Sequence, residues 1–345
     1  MVIILVYVDD LLITRNNINM ITDLKGILNR NFKMKDLGEL IYFLGIEVLR
    51  SQEGILLNQL KYAQELIQYA GLSETKVALT PLEQNQKLTT AEFDEVIQQH
   101  QEDTLIEDKT VYQRLIGRLI YLTHTRPDIT FAVSHLTQFM QNPKQSHIEA
   151  AMKVVRYIKR EPRLEIFLKA INKHQLVAYC DSDWASCPMS RRSVSGFYVQ
   201  LRDSLISWKS KKQCTVSKSS AEVEYRSMTA VTSELVWVSG LFKELEISVT
   251  EPVRLFCDNK AALQIAANPV YHERTKHIEI DCHFVREKIQ GLITTEYVST
   301  IDQLADVMTK ALGSQQHSHL ISKLGLKKYC YTSNLRGSVE RIIWG

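Results

Sequence analysis

The order of periodicities in the second half of the chain is its tightest constraint. Three apolar runs, 175–181, 193–201 and 204–208, follow one another as strand-like segments. A long helical pattern over 219–246 comes next, then strand 253–258, helices 259–267 and 275–290, strand 292–298 and helix 301–312. Strands in succession, then helices and strands alternating, give a mixed sheet with helices packed on it, an α/β (α+β) class.

Four acids fall at telling places in that order. Asp181 ends the run Leu176-Val177-Ala178-Tyr179-Cys180, and Asp258 ends Val253-Arg254-Leu255-Phe256-Cys257. Sites in open sheets gather at strand ends. Taken singly, Asp181 could serve turn chemistry and Asp258 could cap a helix. Asp306 opens a short helix, where an acid is favourable for its own sake. Glu224 shares a helical stripe with Met228, Val231, Leu235 and Val238, which should face the sheet. A carboxylate heading an apolar stripe is costly unless something compensates it. Its neighbour Glu222 fits a capping box with Ser219, and its stripe runs through Arg226, Thr229 and Ser233 as a solvent face. Four carboxylates brought together would line an oxygen-rich site for hard divalent cations.

The first half is organised differently. Residues 2–14 read as a hairpin with Asp9 and Asp10 at its tip, 18–31 as a helix, 39–58 as two strands around Glu53-Gly54, and 59–71 as a helix stopped by Gly71. Residues 110–160 return to helical periodicity, broken at Arg126-Pro127 and Asn142-Pro143. Between them, 83–109 carries eight acids and two lysines, which suits a linker or flexible loop. The expected division is 1–80, an acidic linker 81–110, a helical connection 111–170, the mixed-sheet domain 171–313 and a tail 314–345 that is partly helical and then irregular.

Charge adds one local feature. Residues 1–170 hold 20 Lys+Arg against 21 Asp+Glu, and 171–345 hold 22 against 18. Arg191, Arg192, Lys209, Lys211, Lys212 and Lys218 lie close in sequence, and no acid falls between Asp203 and Glu222. Such a surface suits a phosphate backbone. The six cysteines form no C-x-x-C pair, which argues for reduced thiols in an intracellular protein. His272, His277 and His283 with Cys257 and Cys282 match no zinc spacing, and His277 with Asp281 is a plain i, i+4 pair. The apolar start is too short to span a bilayer, and no secretory or membrane segment appears elsewhere.

The element order and its motifs resemble the ribonuclease H of Ty1/copia-type retrotransposons. The resemblance rests on Tyr179-Cys180-Asp181-Ser182-Asp183-Trp184-Ala185, Arg191-Arg192-Ser193-Val194-Ser195-Gly196, Ser207-Trp208-Lys209-Ser210-Lys211-Lys212-Gln213 and Ser219-Ser220-Ala221-Glu222-Val223-Glu224-Tyr225. It continues through Cys257-Asp258-Asn259, His272-Glu273-Arg274-Thr275-Lys276-His277-Ile278 and Gln303-Leu304-Ala305-Asp306. The first half resembles the same elements' reverse transcriptase. There it rests on Tyr7-Val8-Asp9-Asp10, Leu37-Gly38-Glu39-Leu40, Phe43-Leu44-Gly45-Ile46, Tyr112-Gln113-Arg114-Leu115-Ile116-Gly117 and Thr125-Arg126-Pro127-Asp128-Ile129.

The resemblance implies a ribonuclease H-like mixed five-stranded sheet preceded by part of a polymerase palm and a thumb-like or connection segment. It implies hydrolysis of the RNA strand of RNA–DNA hybrids by two Mg²⁺ ions (or Mn²⁺) roughly 4 Å apart. Their ligands fall on Asp181, Glu224, Asp258 and Asp306, with Asp181 bridging, Glu224 and Asp258 on one ion and Asp306 on the other. Arg191, Arg192, Lys209, Lys211 and Lys212 are the expected backbone contacts. No histidine stands in 298–302, where cellular ribonucleases H often carry one on a mobile loop. The polymerase needs a third carboxylate from an upstream strand, so Asp9 and Asp10 are expected to be vestigial. The alternative is a transposon remnant that binds nucleic acid without turnover.

Overall fold

The computed structural model describes residues 2–14, 18–98, 103–170, 175–268, 278–328 and 340–344. The expected hairpin is formed by β1 (Ile3–Tyr7) and β2 (Asp10–Thr14), with Tyr7 opposite Asp10 and Val8 at a positive φ of 50° in the turn. After α1 (Ile18–Asn31) come β3 (Met34–Glu39), β4 (Tyr42–Phe43), β5 (Ile46–Ser51) and β6 (Gly54–Asn58). Strands β5 and β6 make the hairpin predicted around Gly54. Gly54 is required there: its φ is +152°, and a Cβ would meet the Leu168 carbonyl oxygen at 2.1 Å. Helix α2 (Leu60–Tyr69) stops before Gly71 at φ +66°.

The acidic stretch does not behave as a bare linker. Thr90 caps α3 (Ala91–Val96), and Leu82 and Leu88 enter the core. Asp94 and Asp103 lie 2.5 and 3.0 Å from the buried ammonium of Lys144. Charge density had hidden two leucines and a specific cation partner. Helices α4 (Lys109–Leu122), α5 (Thr130–Leu136) and α6 (Gln145–Arg160) pack Tyr112, Ile116, Leu119, Leu136 and Val154 around them. The Arg126-Pro127 break is a buried fork. Arg126 donates Nε and Nη2 to the Asp128 carboxylate at 2.9 and 2.7 Å, and the Tyr157 hydroxyl donates to the same group at 2.8 Å. Residues 111–170 are not helical throughout: β7 (Leu164–Lys169) pairs antiparallel with β6, joining this segment to the first one.

The mixed sheet is present with the strand order β10-β9-β8-β11-β12. Its strands are β8 (Gln175–Asp183), β9 (Val194–Leu201) and β10 (Ser204–Lys212), then, after α7 (Ser220–Glu244), β11 (Thr250–Cys257). Helices α8 (Lys260–Ala267) and α9 (Glu279–Ile289) precede β12 (Ile293–Tyr297). Strands β8, β9 and β10 run antiparallel to one another in succession, and β11 is parallel to both β8 and β12. That is the ribonuclease H-like sheet the resemblance implies. The predicted α7 stripe of Met228, Val231, Leu235 and Val238 is buried against Leu176, Ala178, Val253 and Leu255.

Two predictions for the C-terminal part are corrected. In place of one helix over 301–312 there are two 3-10 turns, Thr300–Asp302 and Leu304–Met308. Among its described residues, the tail after its helix contains two strands. Beyond α10 (Ser314–Lys323), β13 (Leu326–Lys328) pairs with β7, and β14 (Glu340–Trp344) lies between β2 and β3. His272 and His277 lie outside the described residues. No described helix is long and apolar enough to cross a membrane.

Candidate active site

Register brings two of the acids together. Strands β8 and β11 are parallel neighbours with Ala178 beside Leu255 and Tyr179 beside Phe256. Asp181 and Asp258 therefore leave the sheet at the same end. Helix α7 delivers the third acid, because hydrogen bonds pin its first turns to β8. The Ser182 amide donates to Glu224 Oε1 at 3.2 Å, and the Ser182 hydroxyl donates to the Val223 carbonyl at 3.1 Å. The Ser227 hydroxyl donates to the Asp181 carbonyl at 2.9 Å. Asp306 comes from the 3-10 turn Leu304–Met308. Gln303 caps that turn and sends its Nε2 to the Cys180 carbonyl at 2.9 Å. Gly196, opposite Asp181 in β9, lets the turn sit this close: a Cβ there would meet Met308 Cβ at 2.5 Å.

The four predicted acids thus stand at one end of one sheet. Asp181, Glu224 and Asp306 are buried, and Asp258 is half-buried. Asp181 accepts from the Thr309 hydroxyl and lies 3.4 Å from Lys310 Nζ. Asp306 is 2.9 Å from the same ammonium. Asp258 accepts from the Thr300 hydroxyl at 3.1 Å. Glu224 Oε2 has no hydrogen-bond partner although the residue is only 6% exposed.

Crowding and burial show in the acidities. Burial, then the charges of Asp181, Cys257 and Asp258, push Glu224 well above the usual carboxylate range. Burial raises Asp181 as well, against the pull of Lys310 and Thr309. Asp306 is pushed up to about 7 by burial and by Asp181. Burial opposes the Lys310 charge, but Asp181, Asp306 and Asp258 hold that ammonium above its ordinary value. One ammonium thus acts on three of the four carboxylates, and Glu224 is left without it. A donor set of buried oxygens with too little positive charge fits hard divalent cations such as Mg²⁺ or Mn²⁺.

Sequence reasoning missed Lys310, Thr309 and Gln303. Lys310 carried one signal, its i, i+4 spacing from Asp306; the other two act through contacts that no local pattern encodes. Glu222 needs a correction. It does sit in the capping arrangement with Ser219, but it is buried, accepting from the Lys218 amide at 2.8 Å and pairing with Arg226 at 3.0 Å. Among the basic residues, Arg191, Arg192, Lys209 and Lys211 are exposed. Lys212 is not a free contact. It turns inward and donates to Gln138 Oε1 and Cys187 Sγ, both at 2.8 Å. Alternation along β10 explains this, since Trp208 and Lys212 share the face that meets the helical segment. Asp9 and Asp10 remain at the β1–β2 turn. Among the described residues no third Asp, Glu, His or Cys joins them in a ligand-like group.

Comparison with known proteins adds family context. Residues 1–84 match the family model described as reverse transcriptase (RNA-dependent DNA polymerase). The chain is 40% identical, over 95% of its length, to the retrovirus-related Pol polyprotein from transposon RE1 of Arabidopsis thaliana. It is 31% identical, over 90% of its length, to that from transposon TNT 1-94 of Nicotiana tabacum. It spans only 22% and 23% of those two polyproteins. Among solved structures, an N-terminal ribonuclease H domain from Mycobacterium tuberculosis aligns with a TM-score of 0.31 at 14% identity. That alignment covers 44% of this chain and 98% of the other. The fold assignment rests on the strand order, not on that alignment.

Proposed function

Since the chain belongs to the retrovirus-related Pol polyproteins of copia-like transposons, we propose that its mixed-sheet domain hydrolyses the RNA strand of RNA–DNA hybrids. The observation that carries this reading is the unpartnered, buried Glu224 Oε2 beside Asp181 and Asp258. Buried among like charges, such an oxygen either keeps a proton or, once ionised, needs a cation to compensate it, and a divalent cation would supply that here.

Asp181, Glu224, Asp258 and Asp306 are the residues that would hold the ions. Two Mg²⁺ ions held there would activate the attacking water and stabilise the leaving 3′ oxygen. The chain's own residues set the geometry. Thr309 and Ser227 fix Asp181, Ser182 orients Glu224, and Gln303 holds the turn that presents Asp306. Lys310, lying between Asp181 and Asp306, favours their ionised forms. The exposed Arg191, Arg192, Lys209 and Lys211 bind the hybrid's backbone, and the 2′-hydroxyls with the minor-groove shape identify the RNA strand.

The reverse transcriptase segment is read as ancestry in this chain, with Asp9 and Asp10 contributing no polymerase centre on their own. Primer extension by this chain should yield no product.

The test is a hybrid with labelled RNA in Mg²⁺. Asp181→Asn, Glu224→Gln, Asp258→Asn and Asp306→Asn should each lower cleavage by about a hundredfold or more while hybrid binding persists. Full activity in Asp181→Asn would sink the assignment. Binding without cleavage by the unaltered chain would instead favour a remnant without turnover.

A further inference from the structure

The carboxylate cluster contains a sulfur that the hydrolytic reading does not use. Cys257 is the last residue of β11 and is fully buried. One carboxylate oxygen each from Glu224 and Asp258, together with Cys257 Sγ, lie within 4.8 Å of one another. Among the described residues this is the one such group of Asp, Glu, His and Cys side chains. Register explains the juxtaposition. Cys257 points to the α7 face with Val253 and Leu255, where Glu224 heads the helical stripe, and Asp258 is the next residue.

Two further features point to a ligand. Glu224 Oε2 is buried and has no hydrogen-bond partner. The thiol itself has only weak partners: the Asn259 amide donates to Sγ at 3.4 Å, Sγ points to the Asn259 carbonyl at 4.0 Å, and the thiol of Cys180 lies on the adjacent strand. Half-buried Asp258 opens the group toward solvent.

We propose that Glu224, Cys257 and Asp258 form a binding site for a thiophilic divalent cation, Zn²⁺ or Cd²⁺, and that such an ion switches the nuclease off. A thiolate prefers these ions to Mg²⁺, whereas carboxylates alone do not discriminate in this way. Zinc takes sulfur at about 2.3 Å and oxygen at about 2.0–2.2 Å, so the three donors need only close slightly around it. The thiol proton passes to solvent on binding, and three negative ligands then meet one doubly charged ion. Because that ion uses Glu224 and Asp258, it competes with the hard cations for the same oxygens. The inhibitory part rests on the hydrolytic reading; the binding part does not.

The experiment uses the full chain and Cd²⁺. Cadmium-113 NMR of the unaltered protein should give a resonance of mixed sulfur and oxygen coordination, and the ultraviolet thiolate-to-cadmium band should appear on titration. Cys257→Ser and Glu224→Gln should each weaken Cd²⁺ binding about tenfold or more, and Cys257→Ser should abolish the band. Cys214→Ser, at an exposed cysteine elsewhere, should leave both unchanged. All-oxygen coordination in the unaltered protein, or a band that survives Cys257→Ser, overturns the proposal; the NMR measurement decides even if a variant fails to fold. In Mg²⁺-driven cleavage, Cys257→Ser should need about tenfold more Zn²⁺ for half-inhibition. A protein that binds Cd²⁺ through Cys257 but never cleaves a hybrid keeps the ion site and loses the hydrolytic reading.

Discussion

At the scale of single residues, the two glutamates of the first α7 turns show what a helical stripe can and cannot tell. The stripe argument assigned Glu224 to the sheet face, and it is buried there. The same argument gave Glu222 to solvent, yet Glu222 is buried under the Arg226 side chain and the Lys218 amide. A stripe records which way a residue points, not what folds over it. Lys310 is a similar case, since its bond to Asp181 spans most of the domain's sequence. Asp306 yields a pH prediction with a definite sign. Its folded pKa is raised to about 7 from an ordinary value of 3.8, so the folded chain holds this proton where the unfolded chain has lost it. The contribution is full below about 3.8 and lost as pH rises through about 7. In EDTA, Asp306→Asn should therefore be more stable than the parent at pH 8, by about 1–3 kcal/mol, with the gap closing toward pH 4. Urea midpoints across that range check this; a gap independent of pH would contradict the raised pKa.

At the scale of elements, the sheet strands and α7 were legible because their apolar patterns are long and unbroken. Strand β10 runs past the expected end at 208 to Lys212, because lysines obscure a pairing that β9 enforces down to Val194. The expected helix over 301–312 is two 3-10 turns, because Gln303 spends its side chain on a cap and on the Cys180 carbonyl. The acidic segment was misjudged for a related reason: its partners, Lys144 and the core around Leu88, lie far along the chain. The seat of the Leu304–Met308 turn on β9 is open to test. Gly196→Ala should push Met308 and Thr309 outward, destabilise the protein by about 1–3 kcal/mol and reduce cleavage more than hybrid binding. Thermal melts with parallel cleavage and binding titrations check this, and unchanged cleavage would show that the turn tolerates displacement.

At the scale of the whole molecule, the tail ties the halves together. Strands β13 and β14 return to the first half's sheets, and β7 joins β6, so the divisions expected at 80, 110 and 170 do not bound separate sheets. Pattern reading cannot find such pairings, since short strands carry little signal and their partners lie far off in sequence. Three histidines are shielded as well: His147 in α6 and His317 in α10 are buried, and His135 in α5 is half-buried. Burial pushes His135, His147 and His317 down to about 4 from 6.5, with Lys212 and Lys144 adding to the effect at the first two. His147 Nδ1 accepts from the Lys144 amide at 3.0 Å, so protonating it breaks that bond. The unfolded chain binds these protons below about 6.5 and the folded chain only near 4; stability is full above that window and falls as acid crosses it. The urea midpoint should drop between pH 6.5 and 4, and His317→Phe should lower the proton uptake by about one. An identical slope in His317→Phe would place the acid response elsewhere.

The most direct measurement is cleavage of an RNA–DNA hybrid, each strand labelled separately, by the unaltered chain in Mg²⁺ and in EDTA. The account predicts shortened RNA, intact DNA and no reaction in EDTA, with Asp181→Asn inactive. RNA that stays whole in Mg²⁺, or is cut equally well by Asp181→Asn, would contradict it.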